Sequence, residues 1–260
     1  MSGDRMLAPG PFHADQLRSK DPYELSSGHP VLCLPTGARG ARTNLTGAAV
    51  LDSDPAVYEA GVDAGFAPEP GTLRAPDVSV GNVPDAPGWI TGVPPLAVEY
   101  ADLGQDEQTL ADKIADLLAH GTRHVWVVRL SGPRRVEIHE PGAAPRVVGA
   151  DGVLSAPGVL QNPVPVAALF DRDAAHSATL RNLLQRRGYE SLEDVLAEGR
   201  REGAERGKVE AVLSVLEARG LALTDAQRDL ISSCRDAATL ERWLRGAVTA
   251  SSVEDLLRDR

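Results

Sequence analysis

The chain has 260 residues, of which 42% are hydrophobic and only 4% aromatic, and its formal net charge is −10. This composition predicts one large domain, or a domain with an appendage, built on an aliphatic core. The negative charge argues against a constitutive nucleic-acid binder, because affinity for phosphate backbones usually comes from clustered Lys and Arg. No stretch has the apolar length that crosses a bilayer, and no signal peptide is evident, so we expect a cytoplasmic protein without a membrane partner. The two cysteines, Cys33 and Cys234, fit a reduced protein and support no zinc site.

The amino-terminal part predicts a lead-in followed by a small hairpin. Residues 1–19 lack apolar periodicity and are expected to be disordered or lightly packed. Tyr23-Glu24-Leu25 and the run from Pro30 to Leu34 have the composition of two short strands, and Ser26-Ser27-Gly28 between them favours a turn. A two-stranded hairpin is therefore expected at the start of the folded domain.

The next segment has weaker signals. Leu45 to Val50 predicts a short helix, for which Asn44 is a candidate amino-terminal cap. Residues 52–71 contain several prolines and glycines, which favours a loop with at most one strand, around residues 64–67. The arginines Arg39 and Arg42 are expected in a loop before the helix.

From residue 75 the pattern becomes clear. Apolar runs predict strands at 75–80 and 96–100, and Leu110, Ile114 and Leu117 predict a helix over 107–119. Gly121 is a natural stop for that helix. Further strands are predicted, in order, at 124–130, 134–140 and 146–149. Because a strand–helix–strand crossover favours parallel neighbours, we expect an α/β fold with a mixed sheet core and flanking helices.

A change of composition after residue 173 predicts a separate helical region. No proline occurs between residues 173 and 260, and residues 191–219 predict one long helix. Residues 1–173 hold 13 Lys/Arg against 22 Asp/Glu, whereas residues 174–260 hold 14 against 15. We therefore expect a folded α/β domain at 20–173 and an all-α tail at 174–260. The tail either self-associates or binds a partner, or it is a helical hairpin that caps the core.

Three polar residues in apolar surroundings are the candidates for chemistry. Asp77 and Glu99 lie in predicted strands, and Lys113 lies on the helix that follows. A carboxylate within a buried strand is costly unless it is paired or binds a metal. Two carboxylates and a lysine are also what a metal-dependent phosphodiester hydrolase needs. The alternative is that both acids lie on solvated faces of edge strands and that Lys113 is an ordinary surface lysine.

Residues 20–173 resemble the Uma-two family of proposed endonucleases, within the PD-(D/E)XK restriction-endonuclease-like superfamily. The resemblance extends along most of this region. It rests on Tyr23-Glu24-Leu25-Ser26-Ser27-Gly28, Pro76-Asp77-Val78, Pro95-Leu96-Ala97-Val98-Glu99, Lys113, Gly121, Val125-Trp126-Val127-Val128, Pro157-Gly158 and Ala167-Ala168-Leu169-Phe170.

The resemblance implies a restriction-endonuclease-like core that hydrolyses DNA phosphodiester bonds with Mg²⁺ or Mn²⁺. It implies that Asp77 and Glu99 are metal ligands, that Lys113 is the catalytic lysine, and that Glu24 adds a further ligand or a base. The superfamily's usual lysine position, two residues after the glutamate, is Ala101 here, so Lys113 takes its place from the helix. The alternative is a catalytically degenerate nuclease fold that serves as an oligomeric interaction module.

The tail resembles the carboxyl-terminal regions of transposase-associated nucleases of the same superfamily. The matching stretches are Glu198-Gly199-Arg200-Arg201-Glu202-Gly203 and Leu240-Glu241-Arg242-Trp243-Leu244. Gly199, Gly203 and Gly207 recur every four residues and fall near one face of the predicted long helix, which permits the close approach of another helix. The resemblance and this spacing lead us to expect a homo-oligomer that forms through the tail.

Overall fold

The structure is a computed structural model that describes residues 10–104 and 106–258. It divides into two compact units between Gly188 and Tyr189. The first unit is a mixed α/β fold with a six-stranded sheet, and the second is all-α. The predicted fold class is therefore confirmed. None of the helices in the described ranges is long and apolar enough to span a membrane.

The predicted hairpin is present near the start of the first unit, and a 3₁₀ helix over Ala14–Gln16, with Ala14 buried, precedes it. Strands β1 (Tyr23–Ser26) and β2 (His29–Leu32) pair in antiparallel register around Ser27 and Gly28. Both turn residues have positive φ, +49° and +77°, which is the backbone of a type I′ turn. Gly28 adopts this conformation without strain because it has no Cβ.

Helix α1 (Ala38–Asp52) is longer than the sequence predicted. The prediction of a helix limited to 45–50 is wrong, because Asn44 lies inside α1 and Gly37 occupies the cap position. The arginines Arg39 and Arg42 accordingly lie on the first turns of α1 and not in a loop. The Thr and Gly residues of α1 have low helix propensity, and the packing of its buried face compensates for this.

The central sheet has the strand order β3-β4-β5-β6-β7-β8. Only β5 and β6 are parallel, and helix α2 (Glu107–Ala119) connects them, as the crossover argument predicted. The other neighbours are antiparallel. The strands are β3 (Ala60–Val62), β4 (Val78–Val80), β5 (Leu96–Ala101), β6 (His124–Arg129), β7 (Arg135–His139) and β8 (Arg146–Gly149).

Three predicted strands closely match β6, β7 and β8, and the prediction at 96–100 matches β5. The predicted strand at 75–80 is shorter in the structure, because β4 begins at Val78 and leaves Asp77 just before it. The strand expected around residues 64–67 is also different. The regular strand of that region is Ala60–Val62, and Phe66 contributes only isolated bridges to Arg74 and Ile90.

The sheet is covered on both faces, and the two covers differ. On one face, Val98 and Trp126 pack in the larger core, which α1 and α3 (Arg172–Arg186) help to form. On the other face, the small and β-branched side chains of β5 and β6 pack against α2. That second cluster contains Ala97, Ala101, Val125, Val127, Leu110, Ile114 and Leu117. Alternation along the strands therefore directs residue 99 toward the face that α2 covers.

Short elements close the first unit. Strands β9 (Val153–Leu154) and β10 (Val164–Pro165) pair with each other, and a 3₁₀ helix over Val166–Leu169 leads into α3. The sequence placed the domain boundary after residue 173, but α3 contributes Ala175 and Ala178 to the first core, so the division falls at 188. The absence of proline after residue 173 marks where the chain becomes helical. The boundary between the two units is set by the packing of α3 in the first core.

Four helices make up the described part of the second unit, residues 189–258, and the first of them is the predicted long helix. Ser191 caps its first turn in a capping box with Asp194. Its later half packs in the core of this unit through Val209, Val212 and Leu216. The helices are α4 (Leu192–Ala218), α5 (Asp225–Ser233), α6 (Ala237–Ala247) and α7 (Val253–Arg258).

Candidate active site

Lys113 lies at the centre of a cluster of charged groups in the first unit. Its Nζ is 2.9 Å from Glu99 Oε1 and 3.0 Å from Glu24 Oε1. The same ammonium donates a hydrogen bond to the carbonyl oxygen of Ala75 at 2.7 Å. The Lys113 side chain is 12% exposed and Glu99 is 7% exposed. The structure therefore does not support the alternative of a surface lysine beside solvated strand acids.

Asp77 reaches this cluster from the end of β4. The register of β4 and β5 pairs Val78 with Val98, and its continuation brings Asp77 alongside Glu99. Asp77 Oδ2 accepts a hydrogen bond of 2.6 Å from the backbone N–H of Tyr100. This bond fixes the Asp77 carboxylate to the strand that carries Glu99, so the two acids predicted from sequence are neighbours.

The periodicity of α2 explains why Lys113 points to the sheet. Leu110, Ile114 and Leu117 are buried at helical spacing, and Lys113 lies at the edge of the face that they form. The carboxylate of Asp106 caps the helix by accepting from the N–H groups of the second and third residues. The aliphatic stem of Lys113 therefore follows apolar surface while its ammonium reaches the carboxylates.

Glu24 enters the cluster through the hairpin. Leu25 exchanges two backbone hydrogen bonds with Leu73, of 2.9 and 3.0 Å, which attaches β1 to the segment before Asp77. Glu24 is consequently buried, with 7% of its surface exposed. Its Oε1 lies by Lys113, and its Oε2 accepts a hydrogen bond of 3.2 Å from the guanidinium of Arg74.

Two further charged residues belong to the cluster and were not predicted from the sequence, namely Arg74 and Asp116. The guanidinium of Arg74 donates to Asp116 Oδ2 through Nε at 2.9 Å and Nη2 at 2.6 Å. The hydroxyl of Ser26 donates to the same Asp116 oxygen at 3.1 Å. A local signal was available for Asp116, which is one helical turn after Lys113 on the same side of α2.

Burial and charge shift the pKa values of the central groups. Burial raises the pKa of Glu99 to about 8 despite the attraction of Lys113, and the carboxylates of Asp77 and Glu24 add to the rise. Burial also raises the pKa of Asp77, although Lys113 and the hydrogen bond from Tyr100 oppose it. Burial alone would lower the pKa of Lys113, but the three carboxylates raise it above its usual value. Lys113 therefore stays an ammonium ion at neutral pH.

The charge of the cluster suits a divalent cation. When ionised, Glu24, Asp77 and Glu99 outnumber the one ammonium by two charges, and Arg74 and Asp116 balance each other. The donors are all carboxylate oxygens, which Mg²⁺ and Mn²⁺ prefer. Within residues 10–104 and 106–258, no group of three or more His, Cys, Asp or Glu side chains is placed to hold a metal ion.

Comparison with known proteins finds a solved structure with a similar fold. No protein-family model matches the chain, and no curated protein matches it. The chain is similar to a crystal structure from Anabaena variabilis that is described as a "putative nuclease belonging to DUF820". The TM-score is 0.53 and the identity 18%, over 62% of this chain and 99% of that one. At this identity the similarity shows a shared fold, which extends over almost the whole of the other protein.

Proposed function

We propose that the chain is a metal-dependent endonuclease that hydrolyses DNA phosphodiester bonds, of the Uma-two type within the PD-(D/E)XK superfamily. The observation that carries the proposal is the convergence of Glu99 and Asp77 with the ammonium of Lys113 in one buried cluster. The shared fold with a protein described as a "putative nuclease" supports the same reaction class.

The two strand acids would hold the cation. Asp77 and Glu99 would bind Mg²⁺ or Mn²⁺, which when bound supplies Lewis-acid polarisation of a phosphate oxygen and of water. Because its pKa is raised to about 8, Glu99 must lose a proton for it to bind a cation at neutral pH. The backbone N–H of Tyr100 keeps Asp77 oriented toward the same place.

Lys113 supplies a positive charge and not a base. Its carboxylate neighbours raise its pKa, so the ammonium retains its proton at neutral pH. A fixed ammonium can stabilise the negative charge that develops on a phosphoryl group and can orient the attacking water. Its contact with the carbonyl oxygen of Ala75 limits its direction, which keeps it preorganised.

The net charge of −10 means that DNA binding depends on the site more than on a basic surface. A divalent cation in the cluster would cancel the local excess of negative charge where a phosphate must approach. We therefore expect weak, transient DNA binding in the absence of the cation, and measurable binding in its presence.

The proposal is tested by nicking of a supercoiled plasmid by the full chain in Mn²⁺ and in Mg²⁺. The variants Asp77→Asn and Glu99→Gln should lose activity by at least about 10²-fold, the usual cost of removing one group that stabilises the transition state. Asp112→Asn is the matched control, because Asp112 is exposed on α2 and contacts Gln108. A wild-type chain that cleaves neither DNA nor RNA, or variants as active as wild type, would refute the proposal.

A second candidate function is assembly through the tail, as an oligomeric interaction module. Leu192 and Leu196 are 48% and 53% exposed. With Gly199, Gly203 and Gly207 they recur at intervals of three and four and so follow one side of α4. A Cβ added at any of these glycines would meet no atom within 4 Å, so the side of α4 that they share is open.

The charges of α4 favour an antiparallel arrangement of two copies. The start of the helix is acidic and the following turns are mainly basic, so an antiparallel copy would set unlike charges against each other. The start holds Glu193, Asp194 and Glu198, and the following turns hold Arg200, Arg201, Arg206 and Lys208 beside Glu202 and Glu205.

Light scattering of the full chain after size exclusion tests this second candidate. Wild type should be an oligomer, and the double change Leu192→Gln with Leu196→Gln should lower its mass toward a monomer. The control is Ala197→Gln, an exposed position on another side of the same helix. A monomeric wild type at micromolar concentration would contradict assembly through α4.

A further inference from the structure

Arg74 is a buried guanidinium that the proposed reaction does not use. Only 1% of its surface is exposed, which is rare for arginine. Its three nitrogens contact two carboxylates, Glu24 on β1 and Asp116 on α2. A buried charge is retained where its partners satisfy it, and here the partners belong to two elements that both contribute to the candidate site.

The backbone of Arg74 is also held. It exchanges hydrogen bonds of 2.8 and 2.9 Å with Phe66, and the preceding residue, Leu73, exchanges two with Leu25. The guanidinium is a planar fork, so an anchored backbone and a filled pocket fix the direction of each N–H. Arg74 is therefore a fixed point from which neighbouring side chains can be oriented.

Glu24 connects this fixed point to the lysine. Its Oε2 accepts from Arg74 at 3.2 Å, and its Oε1 lies 3.0 Å from Lys113 Nζ. Both oxygens of the carboxylate are thus engaged by cations. Because Lys113 and Asp116 lie on the same helix, the contacts close a ring from Lys113 through Glu24, Arg74 and Asp116 back to α2.

We propose that Arg74 is a positioning residue for the catalytic lysine: it fixes Glu24, and Glu24 holds the ammonium of Lys113 against Glu99. Asp116 completes the ring, and the hydroxyl of Ser26 supports Asp116. Glu24 is then the anchor of Lys113 and neither a metal ligand nor a base. This inference rests on the proposed nuclease function, and it extends the site to residues that do not touch the substrate.

The ring explains why a long, flexible side chain can act as a fixed charge. The ammonium of Lys113 is carried on a flexible four-carbon stem. A single partner would leave it free to turn toward solvent. Glu99, Glu24 and the carbonyl oxygen of Ala75 surround it from three elements of the chain. Loss of Arg74 would free Glu24, and a displacement of the ammonium by about 1 Å is enough to slow a reaction by about 10²-fold.

Kinetics of the full chain on a plasmid or oligonucleotide substrate in Mn²⁺ test the ring. Arg74→Lys keeps the charge and removes the fork, and it should lower kcat by about 10–100-fold. KM and the affinity for Mn²⁺ should stay at their wild-type values, because the guanidinium of Arg74 is hydrogen-bonded to Glu24 and Asp116 and not to Asp77 or Glu99. Asp116→Asn should give a smaller drop in kcat, and Asp116→Glu should restore part of it. Asp112→Asn, at an exposed position of the same helix, is the matched control.

A double-mutant cycle separates positioning from general damage. If Arg74 acts through Glu24, then Glu24→Gln and Arg74→Lys together should cost little more than either alone. Additive losses in kcat, or losses in KM and Mn²⁺ affinity with kcat unchanged, would overturn the inference. Should Arg74→Lys fail to fold, Asp116→Asn carries the same test, because its side chain is 25% exposed and tolerates change better.

Lysine acylation gives a readout that does not depend on activity. The chain has only three lysines, Lys20, Lys113 and Lys208, so mass spectrometry can follow each separately. Lys113 should react slowest in wild type, and its rate should rise in Arg74→Lys and Asp116→Asn while the rates of the other two stay constant. An unchanged Lys113 rate would refute the ring. A wild type with protected Lys113 but no nuclease activity would refute the proposed function and leave the ring standing.

Discussion

The two units of the chain treat charge in opposite ways. In the first unit, charged side chains from the hairpin, the segment before β4, strand β5 and helix α2 converge in a buried cluster around Lys113 and Arg74. In the second unit most ion pairs lie at the surface, as Glu241 shows with Lys208 and Arg245. The buried carboxylate of Glu205 pairs with the exposed guanidinium of Arg201. Surface pairs contribute little to stability, whereas buried unpaired charge is costly. The contrast teaches that burial, and not the number of charges, marks the candidate site.

The largest expected effect is on the stability of the first unit. Arg74→Ala leaves Glu24 and Asp116 without their common partner and should lower the free energy of unfolding by about 3–5 kcal/mol. Arg245→Ala, in the second unit, removes a surface ion pair whose arginine side chain is 79% exposed. It should lower the free energy of unfolding far less than Arg74→Ala does. Urea unfolding followed by tryptophan fluorescence measures both. Similar losses for the two variants would remove the distinction between the units.

Metal binding should stabilise only the first unit. At a Mn²⁺ concentration of 100 times Kd, the free energy of unfolding should rise by about 2.7 kcal/mol, because the folded state alone binds the ion. Differential scanning calorimetry of the full chain, with and without a chelator, measures this rise. Asp77→Asn should abolish it, and Asp112→Asn should preserve it. A rise that persists in Asp77→Asn would place the cation elsewhere.

The raised pKa of Glu99 predicts a pH dependence of stability in the metal-free chain. The folded state keeps the Glu99 proton up to about pH 8, whereas the unfolded chain releases it near 4.5. The folded state therefore binds more protons within this window, and wild type should lose stability relative to Glu99→Gln as pH rises through it, by roughly 1–3 kcal/mol. Urea unfolding at a series of pH values measures the difference. A constant difference between wild type and variant would contradict the assigned burial.

Replacing a helical glycine by alanine should change stability in opposite directions in the two units, by a smaller amount. Gly203→Ala in α4 adds a Cβ that meets nothing, so it should stabilise the helix by about 0.5–1 kcal/mol. Gly47→Ala in α1 would overlap the hydroxyl of Tyr100 and should destabilise the first unit. Thermal unfolding at low protein concentration separates the two outcomes. If α4 self-associates, Gly203→Ala should also weaken the oligomer in light scattering, since the added methyl groups keep two helices apart.

Much of the fold could be predicted from periodicity, because the signals for β5, α2 and β6 are local. The bounds of α2 follow from the cap at Asp106, its buried stripe and Gly121 beyond its end. The length of α1 could not be predicted. Its glycines and threonines are poor helix formers, and only the close packing of Gly47 against Tyr100 shows why they are tolerated.

The site was partly predictable for a similar reason. Asp77, Glu99 and Lys113 stand out because each interrupts an apolar pattern. Arg74 does not, since it lies in a segment without periodicity and 50 residues from Glu24. The backbone pairing of Leu25 with Leu73 brings these two residues together. That pairing is a long-range contact that no local pattern reports.

The rate of plasmid nicking by Lys113→Met, beside that of Lys208→Met, tests the central claim most directly. Lys113 is buried among carboxylates in the first unit, and Lys208 pairs at the surface of the second. In Mn²⁺ at pH 8, Lys113→Met should be slower than wild type by about 10²–10³-fold, while Lys208→Met should match wild type. Equal rates for the two variants, with both folded by circular dichroism, would contradict the assignment of the buried cluster as a catalytic site.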